Sequence, residues 1–410
     1  MITPSFGLTA TERVLPKLAL DFTTASLDSR ITFTRTTGAS NPATYVNSSG
    51  YVTAATDNQP RFDYDPVTLA CKGLLIEESR QNTLRYSQDI SNASGWGVFS
   101  GAAFGSTTES APDNTNSGVV VVKTTASSGI YTNYSITGVI GTTYTLSCFV
   151  KAGTSNFARL ALHSNNSSGN VGSYLINLTT GELTTITAGV GATATNFGNG
   201  WWRLTVTGTA TATALRMYLY PGTTTETNTS AVFWGAQLEV GAFPTSYIPT
   251  TSAALTRNAD VATMTGTNFS DWFNANEGTF FAKADTYYPA ATAGVVLIAS
   301  DGTANERIQV AFGSSSLSVA VTDGGASQVS GLTASAASAN TFYDMMVGYK
   351  LNDCGFAVNA GTPTTDTTCT MPTVDQLWIG RRTTYLNGHV AKIMYWPQKL
   401  ITAEIKAFSK

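Results

Sequence analysis

The chain is poor in charge, in histidine and in cysteine. Only 12% of its 410 residues are Asp, Glu, Lys or Arg, and the formal net charge is -3. The 23 basic residues are scattered, so no electrostatic footprint for nucleic acid or an anionic membrane is present. The two histidines, His163 and His389, fall in different predicted units. Neither has a nucleophile motif beside it, which argues against Ser-His-Asp or Cys-His chemistry. Four cysteines, Cys71, Cys148, Cys354 and Cys369, are too few for a disulfide framework and lack the paired spacing of a zinc site. They read as buried thiols, with Cys354 and Cys369 the pair that a hairpin could bring together into a bridge. Nor does the chain contain a phosphate-cradling Gly-Lys-Ser/Thr.

Long apolar runs are also missing; the longest, around Val295 to Ala299, is about six residues, far short of a membrane span. Met1 to Phe6 has neither a basic nor an apolar region of the kind a signal peptide needs. The expectation is a soluble protein with no membrane insertion. What fills the chain instead is 42% hydrophobic residues, alanine among them, with Thr, Ser, Gly and Asn supplying most of the rest. At roughly 150 residues per domain the length implies two or three domains.

Strand signals run through the whole chain. Leu18 to Phe22 and Arg30 to Arg35 alternate with period two. Asp65-Pro66 sets a turn before the returning run Lys72 to Glu78. From Asn82 to Thr250 the strands are punctuated every eight to twelve residues, as in a sandwich or jelly roll. Gly141 to Lys151, Tyr174 to Leu178, Trp201 to Thr207 and Ala214 to Tyr220 are its clearest members. Gly235 to Thr250 closes this unit and runs into a stiff, proline-containing tether, whose Phe243, Tyr247 and Ile248 are expected to pack back onto the N-terminal half. Beyond Arg257-Asn258-Ala259-Asp260 a second series of strands begins at Glu277. A short helix, Thr402 to Phe408 with Thr402 as N-cap, is expected at the end.

Three resemblances rest on these residues. Arg61-Phe62-Asp63-Tyr64-Asp65-Pro66 followed by Gly73 to Asn82 resembles a segment of tailed-bacteriophage structural proteins that precedes lectin-like domains. Ser94-Gly95-Trp96-Gly97-Val98, the strand around Tyr144 to Lys151 and the closing Phe233 to Glu239 are similar to carbohydrate-binding-module jelly rolls. Trp378 to Phe408, with Gly380-Arg381-Arg382, resembles the end of laminin-G-like or concanavalin A-like domains. The implied fold is all-β: an N-terminal short-strand module over 1–85, a jelly roll over 86–250, and a laminin-G/concanavalin A-like β-sandwich over 251–410.

What the resemblances imply for function is a non-enzymatic virion protein, assembled in the host cytoplasm. It would be a tail fibre or spike whose N-terminal module meets other virion proteins and whose lectin-like domains touch host-surface polysaccharide. A capsid-decorating or head-fibre spacer is the alternative, and a polysaccharide depolymerase a third. Against the last, the Glu-x-Asp carboxylate strand of concanavalin-like glucanases is missing, since the chain has no Glu-x-Asp. A homo-oligomer is expected, a trimer if the protein is a fibre, although no heptad coiled coil is present.

Sugar recognition needs aromatic faces and hydrogen-bonding groups. Trp201, Trp202, Tyr218 and Tyr220 fall on what read as adjacent strands, with alternation placing the two tryptophans on opposite faces. Trp378, Arg381 and Tyr385 form a second candidate patch. Each ring is equally what a sandwich core requires. No cofactor is expected; calcium is the one ion that Asp301, Asp323, Asp353 and Asp375, in the loops of the last domain, could hold. The charged residues Arg61, Asp63, Glu77, Glu78 and Arg80 read as a local salt-bridge network fixing their hairpin.

Overall fold

The computed structural model describes residues 15–36, 43–164, 169–288, 294–313, 316–329, 331–334, 336–400 and 404. Among these the chain is all-β, and every strand pairing is antiparallel in two sandwiches. In the jelly roll a six-stranded sheet runs in the order 191–196, 201–209, 143–152, 229–240, 118–123, 102–109. Facing it lies a sheet in the order 183–187, 170–177, 157–164, 214–221, 130–132, 96–98, with Ile136–Thr137 also paired to 214–221. Alternation turns Leu146, Cys148 and Val150 inward against Leu160, Leu162, Met217 and Leu219, all buried.

The second sandwich departs from the expected order of three consecutive units. Its eight-stranded sheet runs 364–366, 354–358, 343–350, 277–284, 388–396, 71–76, 62–64, and Leu18–Asp21 also pairs with 388–396. The opposite sheet begins with 32–34 beside 261–265 and continues through 376–379, 294–300, 307–312, 317–323 and 326–327. Leu18 lies opposite Tyr395, Ile76 opposite Gly388, and Phe33 opposite Ala262. Leu18, Leu20, Phe22, Leu74 and Ile76 accordingly share one core with Phe280, Ile393 and Tyr395. Of the residues expected to form a separate N-terminal module, 18–21, 32–34, 62–64 and 71–76 are strands of the C-terminal sandwich, while 43–46 and 52–55 pair only with each other; the jelly roll is inserted between the two halves of that sandwich. The reason is physical: period-two alternation tells that a strand is half-buried and leaves its partner open. Gly73, at φ 112°, permits the join, because a Cβ there would sit 2.3 Å from the carbonyl oxygen of Val390.

The chain enters and leaves the jelly roll through a two-stranded neck, Arg80–Asn82 against Leu255–Arg257. Asn82 donates from Nδ2 to the carbonyls of Ile248, at 2.9 Å, and Ala236, at 3.2 Å. Tyr247 is buried with Phe149, Trp234 and Val52. Phe243 stacks on Tyr288 with ring centroids 5.6 Å apart, and the Arg80 guanidinium lies 4.7 Å from its centroid.

Under this neck lies an ionic network. Asp260 holds Arg35 at 2.8 Å and Arg61 at 2.5 Å, while Glu77 holds Arg61 at 2.7 Å and Arg257 at 3.5 Å, all five side chains being 0% exposed. Burial alone would raise the Glu77 carboxyl, but Arg257 and Arg61 hold it down to about 2. Glu77 also accepts from the backbone N–H and hydroxyl of Ser246, each at 2.7 Å. The network expected to be local to one hairpin therefore reaches across the inserted jelly roll; of the local pairs, Arg80–Glu78 is present at 2.5 Å.

Cys354 and Cys369 are free, buried thiols that both donate to the Lys350 carbonyl. The four loop aspartates do not converge: Asp301 caps a turn at Thr303, Asp323 accepts from Thr370, Asp353 pairs with Lys399, and Asp375 accepts from Gln376. Among the described residues no group of three or more His, Cys, Asp or Glu is placed to hold a metal ion. The expected helix at 402–408 lies outside the described residues apart from Glu404, which is helical.

Candidate binding site

The outer face of the jelly roll's 157–164/214–221 sheet gathers rings and cations. Strand alternation directs Arg216, Tyr218 and Tyr220 outward together, and register places them beside His163, Ala161 and Arg159 respectively. On the other side Tyr131 lies opposite Tyr218 and also opposite Gly97, where a Cβ would come 2.9 Å from the Tyr131 ring. Phe99 completes the group. Its ring is within 10° of parallel to those of Tyr218 and Tyr220, at 5.6 and 6.2 Å.

The rings hold the cations in fixed positions. The Arg159 guanidinium carbon is 3.7 Å from the Tyr220 ring centroid, that of Arg216 is 5.7 Å from Tyr131, and the His163 ring is 4.1 Å from Tyr218. Tyr218 is 9% exposed and Tyr220 8%, so the aromatic faces are largely covered and the layer offers solvent mainly its edges and polar tips. Burial, together with the Arg159 charge, lowers His163 to about 4, which leaves the imidazole neutral near pH 7. Burial pushes Tyr220 up to about 12, so its hydroxyl stays protonated. Hydroxyl, imidazole and guanidinium donors thus share one outward layer.

The other candidate residues sort differently. Trp201–Thr209 and Ala214–Pro221 lie in opposite sheets, because residues 210–213 cross the sandwich where adjacent strands were expected. Trp201 is buried and its indole N–H donates to Ser110 at 3.1 Å; Trp202 is half-buried, donates to Leu178 at 2.9 Å and lies against Gly181. Neither tryptophan presents an open ring. Trp378, Arg381 and Tyr385 are brought together, with the guanidinium carbon of Arg381 4.8 Å from one ring centroid and 5.3 Å from the other. Phe99, Tyr131, Arg159 and Arg216 were not singled out by sequence reasoning. Alternation alone could have joined Arg159 to His163 and Arg216 to Tyr218, whereas Phe99 and Tyr131 needed the strand order.

A concavity opens between the two sandwiches, away from this face. This cleft of about 380 Å³ is walled by Tyr45, Tyr64, Phe197, Phe243 and Tyr288, with Asp63 and Lys72 on one side. Lys72 pairs with Asp63 at 3.2 Å. Behind Asp63 lies His389, fully buried, its Nε2 3.0 Å from Asp63 and its Nδ1 2.9 Å from Asp285. Burial works against the imidazolium, but Asp285 and the two hydrogen bonds outweigh it and raise His389 above its ordinary value. Both carboxylates are depressed, Asp63 by Lys72 and His389, Asp285 by His389.

The His389 contribution to stability is complete below its ordinary 6.5 and is lost as pH rises through the raised folded value. The carboxylate contributions are present above their ordinary 3.8 and are lost as pH falls through the depressed folded values. Thermal melts across pH are expected to show highest stability between these two limits, with an alkaline-side decline that His389→Gln removes. A decline unchanged in His389→Gln would assign it to another group.

No family model and no curated protein matches the sequence. Solved structures that match include a Trypanosoma rangeli sialidase, at 12% identity and a TM-score of 0.28 over 37% of this chain. The chain spans 26% of that sialidase. The CBM22-1 xylan-binding domain of a Paenibacillus barcinonensis protein matches at 15% identity and a TM-score of 0.25, over 39% of this chain and 92% of that one. Mouse laminin alpha1 domains LG4-5 match at 13% identity and a TM-score of 0.25, over 75% and 92%. The chain is similar to jelly-roll and laminin-G-type β-domains at this level, and scores so low carry no argument about function.

Proposed function

We propose that the protein is a non-enzymatic carbohydrate-binding component of a bacteriophage virion, a tail fibre or spike that displays the jelly roll toward host-surface glycans. The observation that supports binding is the outward layer of Phe99, Tyr131, Tyr218 and Tyr220 with Arg159, Arg216 and His163, where rings and hydrogen-bond donors share one sheet face. The phage setting rests on the sequence resemblance around Arg61 to Asn82. Association into a homo-oligomer belongs to the same reading, and Val139 and Ile140, 63% and 62% exposed at one turn, are apolar groups available for it.

A second reading, a head-fibre or capsid-decorating spacer, draws support from the paired strands of the neck and the buried ionic network, which suit a brace. Probing the intact protein against a glycan array and host polysaccharide tests the first reading. Saturable binding to a saccharide is expected. Failure to bind any of them, with the protein located on capsids by electron microscopy, would favour the spacer.

A further inference from the structure

Arg159 and Arg216 form no ion pair with a carboxylate among the described residues. Yet Arg159 is only 9% exposed, and Nε of Arg216 is buried without a hydrogen-bond partner. Residues 165–168, which follow the strand carrying Arg159 and His163, are Asn, Asn, Ser and Ser, so that stretch supplies no acid. Glu226 acts on Lys123, which also feels the Arg159 charge, but it is not among the groups acting on Arg159. It already accepts the Thr223 N–H at 2.6 Å and the Ser155 hydroxyl at 3.0 Å. A guanidinium held out of water without a counter-charge is costly, and an anion arriving from outside would relieve that cost. The stacked rings have already fixed the donor forks, so less side-chain entropy is lost on binding.

Resting on the reading of this face as a saccharide site, we propose that its ligand is an acidic polysaccharide, whose carboxylate- or sulfate-bearing sugars are the partners of Arg159 and Arg216. Register supports a polymer over a single acid. Arg159 lies opposite Tyr220, four residues along the neighbouring strand from Arg216. Strand rise and spacing then put the two Cα atoms roughly 14 Å apart. The two guanidiniums are not free to converge, because Arg159 is held over the Tyr220 ring and Arg216 beside the Tyr131 ring; a chain with repeated acidic units meets both where they stand. The Tyr220 hydroxyl is engaged by Arg159, which leaves the Tyr131 and Tyr218 hydroxyls and the neutral His163 ring to hydrogen-bond the sugar hydroxyls. Nucleic acid fits poorly, because the chain as a whole carries a net charge of -3 and its basic residues are scattered.

The test presents the intact protein and its Arg159→Gln and Arg216→Gln variants to an array holding matched acidic and neutral saccharides, polygalacturonate and its methyl ester among them. Each variant is first checked for an unchanged thermal transition, and either one suffices if the other does not fold. Binding is expected only to acidic members, weakened about tenfold or more by each substitution, as for loss of a charge-assisted hydrogen bond. It is also expected to weaken as salt rises from about 0.1 to about 1 M. Binding to neutral members that both variants retain would overturn the acidic assignment and leave the saccharide reading standing. Absence of binding to any member would overturn both.

Discussion

Replacing Asp260 with alanine is expected to destabilise the protein by about 3–5 kcal/mol, the range found when one partner of a buried ion pair is removed. Asp260 accepts from Arg35, from Arg61 and from the backbone N–H of Glu77, the last at 2.9 Å. Without it, two guanidiniums stay at 0% exposure with one carboxylate, Glu77, left among three arginines. Denaturant titration measures the effect, and a loss below about 1 kcal/mol, the value of an exposed pair, would show that the site is wetter than its geometry. An apolar replacement of all five groups is a different experiment, since a well-packed core can match a buried ionic cluster in stability.

Removing the first 34 residues is expected to unfold the C-terminal sandwich while the jelly roll persists. The deletion takes away Leu18, Leu20, Phe22, Ile31 and Phe33, none more than 8% exposed. At about 1.5–3 kcal/mol for each buried side chain, the loss is about 7–15 kcal/mol, comparable to the whole stability of a typical domain. It also strips the 388–396 strand of its Leu18–Asp21 partner and exposes the edge of the 261–265 strand. Calorimetry should show one transition where the intact chain shows two or a single coupled one. Retention of the full unfolding enthalpy would mean that residues 18–34 are an appendage, as a separate attachment module would be.

These two results probe what the sequence hid. The strands themselves were legible: Leu18 to Phe22, Thr143 to Ala152 and Ala214 to Pro221 all carry the two-residue period that a half-buried sheet imposes. So was the burial of Cys148, Cys354 and Cys369, though Cys71 is only half-buried, and so was the packing of Tyr247 against the N-terminal half. Partner choice was not, because Leu18 and Tyr395 are nearly the whole chain apart and nothing local in either names the other. For the same reason Arg61 and Glu77 were read as one hairpin's salt bridge, when Asp260, from beyond the jelly roll, and Ser246, from its closing segment, complete their surroundings. The site divides along the same line. Tyr218 and Tyr220 were found by alternation, whereas Arg159, Tyr131 and Phe99 joined them only through sheet order. Trp201 and Trp202 drew attention as large rings, and their indole N–H groups turned out to be spent on Ser110 and Leu178.

Hydrogen–deuterium exchange on the intact protein, with and without a saccharide that it binds, tests the central claim most directly. The account predicts protection concentrated on Ile130–Thr132, Phe157–Ser164 and Ala214–Pro221, the strands that carry Tyr131, Arg159, His163, Arg216, Tyr218 and Tyr220. Protection centred instead on residues 242–247 and 287–288, which wall the cleft between the sandwiches, would contradict it and move the binding site there.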